Sequence, residues 1–172
     1  IEPVAPRPRL VVAGGGHVAL AIARQAQLLD FDVTILEDRP EFADPSRFGG
    51  ATVLEGDVPT TIASIDYGWN SFLVVATRGH KLDADCVLAA ARTNVAYIGL
   101  LGSRRKTVLI HDMLREHGVA EERFRTIHAP VGLDLGGRTP AEIALSVLAE
   151  ITQMRYQATG RPLGQGIAAR ST

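Results

Sequence analysis

The sequence predicts an α/β domain with a doubly wound, mainly parallel sheet of about six strands and helices on both faces. Three observations lead there. Short apolar runs of strand length alternate with longer stretches of helical periodicity, the pattern of repeated strand–helix–strand units. The first apolar run passes directly into a triple glycine and then into an amphipathic helix. The chain has 172 residues, 46% hydrophobic and 22% charged, which suits one globular unit able to bury a core without staples.

Residues 1–9 carry Pro3, Pro6 and Pro8 and read as an extended leader or interdomain linker. Leu10–Ala13 is the first strand, and the helix after it places Val18, Ile22, Ala26 and Leu29 on one face. Phe31–Leu36 is a second buried strand and Ala51–Leu54 a short third. Pro59–Ile65 is a short helix, Ser71–Thr77 a fourth strand, and Asp83–Arg92 a helix. Val95–Leu100 is a fifth strand, followed by a helix over Ser103–His117 that Gly118 closes. Phe124–His128 is a short sixth strand. The last helix, Thr139–Tyr156, is well signalled. Thr139 is its N-cap, Pro140 its first residue, Glu142 completes a capping box, and Ile143, Val147, Ile151 and Met154 form its apolar stripe. Residues 10–156 thus make up the domain, and 157–172, rich in Gly, small and polar residues, read as a flexible tail.

The glycine segment carries chemistry. Gly14-Gly15-Gly16-His17-Val18-Ala19 has the G-x-G-x-x-A spacing of a dinucleotide-binding turn in a Rossmann-like fold. Gly14 permits the sharp turn, Gly16 lets a phosphate approach the main chain, and small Ala19 lets the helix lie close to the strand. The free N–H groups and positive dipole end of the helix favour an anion there. The next strand ends in Glu37-Asp38-Arg39, about 23 residues past Gly14. A ribose-binding acid is expected ~20 residues on. Glu37 and Asp38 point to opposite faces, and Glu37, which ends the regular run, is the better candidate for the ribose. A carboxylate there favours NAD over NADP, whereas Arg39 could hold a 2′-phosphate.

Ligands of such sheets bind beyond the carboxyl ends of the strands. His17 follows the first strand, Thr77-Arg78-Gly79-His80 the fourth, and Gly102-Ser103-Arg104-Arg105-Lys106 the fifth. His128 ends the sixth, with Asp134 shortly after. Three of the five histidines therefore fall at one edge of the sheet. His111 and His117 read as surface or end-of-helix residues. Ser103 as N-cap, with Arg104 beside it, offers a second place for an anion. No HxxxH or CxxC spacing supports a metal, and no G-x-S-x-G, nucleophilic cysteine setting or carboxylate pair identifies a reaction.

Composition excludes several classes. A formal net charge of −1 gives no reason to expect nucleic acid or an anionic membrane surface. The single cysteine, Cys86, sits in an apolar helical stretch as a core residue, and no intrachain disulfide can form. Nothing resembles a signal peptide or membrane span, which fits a cytoplasmic setting.

Taken together, Gly14–Ala19, Glu37-Asp38-Arg39-Pro40, Thr77–His80, Tyr97–Lys106, His128–Gly136 and Thr139-Pro-Ala-Glu-Ile143 occur in an order that resembles the XdhC/CoxI family, specifically its C-terminal Rossmann domain. The resemblance covers about residues 10–155. It implies a maturation factor for molybdenum hydroxylases such as xanthine dehydrogenase. Such a factor binds molybdenum cofactor, protects it during sulfuration and delivers it to the apoenzyme. Family members carry a further N-terminal region, of which the Pro-rich leader is the expected junction. On this reading Gly14, Gly16 and the start of the first helix hold phosphate, with Glu37 on a ribose; Ser103 and Arg104 hold a second anionic group, and His17, His80 and His128 line the cleft. Gly15, Val18, Ala19, Asp38, Arg39, Thr77, Gly102 and Asp134 complete the expected cofactor-binding set. The ligand is molybdopterin, its dinucleotide form, or NAD(P). The partner is a xanthine dehydrogenase-type hydroxylase, and a homodimer is compatible with the chain. Two other classes stay open: an NAD(P)-dependent oxidoreductase using one of the histidines as proton donor, and an interaction module using the Gly-rich tail for contacts with other chains.

Overall fold

A computed structural model describes residues 6–164; residues 1–5 of the expected leader and 165–172 of the expected tail lie outside them. Six strands, β1 (Arg9–Ala13), β2 (Asp32–Glu37), β3 (Thr52–Glu55), β4 (Ser71–Val75), β5 (Ile98–Leu100) and β6 (Ile127–His128), form one sheet in the order β3-β2-β1-β4-β5-β6. Every neighbouring pair is parallel. This is the doubly wound order, and its strand sequence reverses direction between β1 and β4.

The β1 run Leu10-Val11-Val12-Ala13 is apolar throughout because both of its faces are covered. Leu10 and Val12 pack toward α1 (His17–Leu28) and α5 (Pro140–Arg155). Val11 and Ala13 pack toward α2 (Val58–Ser64), α3 (His80–Ala91) and α4 (Arg104–Glu116). A parallel sheet buried on both faces needs such continuous apolar runs. Each fully buried aliphatic side chain contributes roughly 1.5–3 kcal/mol to burying that sheet. The N-terminus of α5 has the expected capping box: Thr139 accepts from the Glu142 N–H, and the Glu142 carboxylate accepts from the Thr139 N–H.

Three elements differ from expectation by three residues or more, the others by one or two. Helix α3 begins at His80 rather than Asp83, with Gly79 in extended backbone as its N-cap. Strand β5 pairs only over Ile98–Leu100. The expected strand 124–128 is mostly a 3₁₀ segment, Glu121–Thr126, leaving Ile127–His128 as β6. Arg123 explains the last difference. Its guanidinium donates to the Ala91 and Val95 carbonyls (3.1 and 3.0 Å), pinning this segment to the end of α3. The Thr126 hydroxyl then donates back to the Arg123 carbonyl, which closes the turn. Beyond α5, the Ala158 N–H donates to the Gln153 carbonyl, so the start of the expected tail folds back on the helix. Among the described residues no helix is long and apolar enough to cross a membrane.

Candidate functional site

The reversal between β1 and β4 opens a crevice at the carboxyl ends of these strands, because the chain leaves β1 for one face and β4 for the other. The three glycines at its edge have separate reasons to be glycine. Gly14 has φ +118°, and a Cβ there would lie 2.3 Å from the Ala76 carbonyl oxygen of the neighbouring strand's exit. At Gly15 a Cβ would meet the Phe42 carbonyl oxygen at 2.8 Å. Gly16 has ordinary extended backbone, and a Cβ there would meet nothing within 4 Å. The first two glycines serve the protein's own packing, and the third keeps open space beside the helix start.

The turn is held from both sides. The Gly15 N–H donates to the Glu37 carboxylate (2.7 Å), and the Arg47 guanidinium donates to the Gly15 and Phe42 carbonyls (2.9 and 2.8 Å). Helix α1 starts at His17 with no side-chain cap and no acid in its first turn. Asp57, Ser103 and Thr139 cap α2, α4 and α5, and α3, uncapped like α1, carries Asp83 in its first turn. The first α1 turn therefore presents backbone N–H groups toward the crevice on a rigid base, with Ala19 buried beneath. Val18 packs partly buried against the α1/α5 side.

Glu37 is buried, its side chain 3% exposed. Its oxygens also accept from the Asp38 and Arg39 N–H groups and from the Arg39 guanidinium, all at 2.9–3.0 Å. With Gly15, these donors use its acceptor positions. Arg39 in turn lies 3.8 Å over the Phe42 ring. Asp38 is the carboxylate that reaches the surface, and there it makes a two-pronged pair with Arg78, a residue to which the sequence alone assigns no role. The Arg78 guanidinium holds the Asp38 carboxyl down at about 2.

A second feature that sequence reasoning misses lies under the crevice. Asp83, 2% exposed, accepts from the Thr77 N–H and hydroxyl (3.1 and 2.6 Å) and pairs with Lys106. Lys106 also donates to the Leu101 carbonyl. Thr77 is thus turned inward, and the pair ties the exit of β4 to the β5–α4 turn. That turn carries Gly102 at φ +157°, where a Cβ would press on the Lys106 side chain.

The β5–α4 turn forms one wall of a separate cleft of about 480 Å³, where Gly102 and Arg104 face Asp134 and the 130–137 loop. Arg104 and Asp134 are exposed. Ser103 spends its hydroxyl on the cap, accepting from the Lys106 N–H.

The three strand-end histidines are placed differently. His17 and His80 are exposed at the first turns of α1 and α3. His128 instead stacks on Tyr97 (4.4 Å between centroids), and its Nδ1 lies 3.2 Å from Glu150 on α5. Tyr97 donates to the same carboxylate at 2.7 Å. Burial works to raise the Glu150 carboxyl, but hydrogen bonds from His128 and Tyr97 outweigh it and hold it below its usual range. His111 is half-buried against Phe124, and His117 Nδ1 lies 2.8 Å from the Met113 carbonyl near the end of α4. Cys86 is fully buried, and burial pushes its thiol up to about 12.

Strand order and glycine turn define a Rossmann-type α/β domain. Residues 10–151 match the model of the XdhC Rossmann domain, and the chain belongs to that family. It is 41% identical over 156 residues to YqeB of Escherichia coli K12, covering 90% of this chain and 28% of that protein. It is 32% identical over 156 residues to a probable xanthine dehydrogenase subunit of Bacillus subtilis 168, covering 90% of this chain and 45% of that one. A shorter stretch of 78 residues, 44% of this chain, is 43% identical to the molybdenum cofactor insertion chaperone PaoD of E. coli K12, covering 24% of it. The chain therefore spans less than half the length of these relatives. A crystal structure of a xanthine dehydrogenase from Bacillus halodurans shares the fold, with a TM-score of 0.76 at 22% identity over 90% of this chain and 44% of that one.

Proposed function

We propose that this chain is the Rossmann domain of a maturation factor for molybdenum hydroxylases. It binds molybdenum cofactor as cargo through its phosphate end and passes it, in the cytoplasm, to a xanthine dehydrogenase-type apoenzyme. The observation that carries the binding part is the start of α1: rigidly held, uncapped, and open beside Gly16. An anion placed there gains backbone hydrogen bonds and the helix dipole. Family membership and the relative named as an insertion chaperone support the identity of the cargo.

The chain's own residues suit the phosphate and pterin ends of that cargo. Gly14–Ala19 cradle the phosphate, with exposed His17 and His80 flanking it. Arg104 and Asp134 offer one cation and one carboxylate in the neighbouring cleft for the polar edge of the other end. The metal end has no evident seat: among the described residues no three His, Cys, Asp or Glu side chains are grouped to hold a metal. Cys86 is neither accessible nor a thiolate.

Reconstitution tests the proposal. The full-length protein loaded with cofactor should restore activity to a cofactor-free molybdenum hydroxylase, and the unloaded protein should not. With NAD or NADP and a panel of alcohols, hydroxy acids and purines, this chain should give no hydride transfer. Turnover of one such substrate, abolished by His80→Ala, would make it an oxidoreductase instead.

A further inference from the structure

We infer that Arg78, clamped on Asp38, selects against ribose-bearing ligands, so that the glycine turn takes a terminal phosphate monoester in preference to a dinucleotide. This rests on the reading that the turn holds phosphate. Asp38 follows β2 and Arg78 follows β4, and β1 lies between these strands in the sheet. The pair therefore passes over the end of β1, where the glycine turn begins. Its guanidinium also lies 3.9 Å from Glu37, whose other oxygen holds the Gly15 N–H.

A dinucleotide whose pyrophosphate sits on α1 places its ribose at the end of β2 and needs a carboxylate acceptor there. Neither acid at that end is free. Glu37 is filled by Gly15, Asp38 and Arg39 donors, and Asp38 is filled by two nitrogens of Arg78. A 2′-phosphate fares no better, because Arg39 is committed to Glu37 and Arg78 to Asp38. A ribose must displace a two-pronged, charge-assisted pair before it gains a hydrogen bond. A terminal phosphate needs only the N–H groups of the α1 start and leaves the clamp closed. Arg78 is half-exposed, and its side chain pairs with Asp38 and Glu37 at the rim of the sheet and not within the core, so Arg78→Ala should fold.

The test is calorimetric titration of NAD and of inorganic pyrophosphate into the wild type, Arg78→Ala and Asp38→Ala at low salt. In Arg78→Ala the freed Asp38 should accept the ribose, and NAD should bind about fivefold more tightly, the scale of an exposed ion pair. Pyrophosphate affinity should stay within about twofold, since its N–H contacts are untouched. Asp38→Ala removes the clamp and the acceptor together and should not improve NAD binding. Equal NAD affinity in the wild type and Arg78→Ala, with pyrophosphate bound, overturns the clamp and leaves the phosphate site standing. If pyrophosphate binds to neither protein, the phosphate reading falls and this inference with it.

Discussion

Lys106→Met isolates the buried pair beneath the crevice. The Lys106 side chain is 11% exposed and that of Asp83 3%. Lys106 donates to Asp83 and, at 3.1 Å, to the Leu101 carbonyl. Without the amine, Asp83 keeps only the Thr77 N–H and hydroxyl as donors. Removing one partner of a buried pair costs about 3–5 kcal/mol, because the remaining charge stays buried. The two Thr77 bonds persist in the variant and keep the carboxylate partly compensated, which places the loss at the low end of that range. A loss of about 3 kcal/mol is expected, or roughly 6–12 °C in Tm for a domain of this size. Urea unfolding followed by circular dichroism measures it as a lower midpoint at unchanged slope. Asp83→Asn combined with Lys106→Met should recover at least half of the loss, since no charge is then left unpaired. A single variant within about 0.5 kcal/mol of wild type, or a strictly additive pair, would refute the view that this ion pair is a buried, coupled tie.

Gly16→Val should still fold, because its backbone is extended and a Cβ there meets nothing, with stability lowered by no more than about 1 kcal/mol for a β-branched N-cap, yet it should lose pyrophosphate binding in the same titration. Asp38 is held at about 2 by Arg78, below its ordinary value, so its contribution to stability is present above the unfolded pKa of about 4 and is lost as pH falls toward 2. Asp38→Asn should therefore flatten that part of the acid limb in pH-dependent unfolding. Cys86 should resist a thiol reagent at pH 8 in the native state and react at once in denaturant, measured by the absorbance of the released chromophore.

Much of the fold was legible from local pattern. The apolar runs, the glycine turn and the capping box each point to one local structure, and the parallel sheet with helices on both faces follows from repeated crossover units. The ends of β5 and β6 were not legible, because Val95 and Phe124 are apolar for the core rather than for strand pairing. At the site, the glycine turn stands where its spacing puts it. The role of Glu37 was harder to see. Ending the strand places an acid at the crevice but does not tell whether its oxygens face a ligand or the turn's own N–H groups. Apart from Gly15, its donors come from Asp38 and Arg39 just past β2, and the Arg47 that grips Gly15 lies in the short 3₁₀ segment Pro45–Arg47; no sequence pattern announces these contacts. Asp83 and Lys106 did leave a trace. Asp83 shares the stripe of Val87 and Ala90, and Lys106 that of Ile110 and Leu114, so each is a charge on an otherwise buried helix face. Position alone misplaces His128: the strand end points to the crevice, but the side chain follows the pleat to Tyr97 and Glu150.

The proposed seat for the phosphate end of molybdenum cofactor is the start of α1. Its most direct test is to express the protein in cells that make the cofactor, purify it anaerobically, denature it, and identify the released small molecules by mass spectrometry. Gly16→Val is carried alongside as the control. A pterin phosphate should be released from the wild type and be absent from the variant. NAD or NADP released from the wild type in its place, or equal pterin from both proteins, would contradict it.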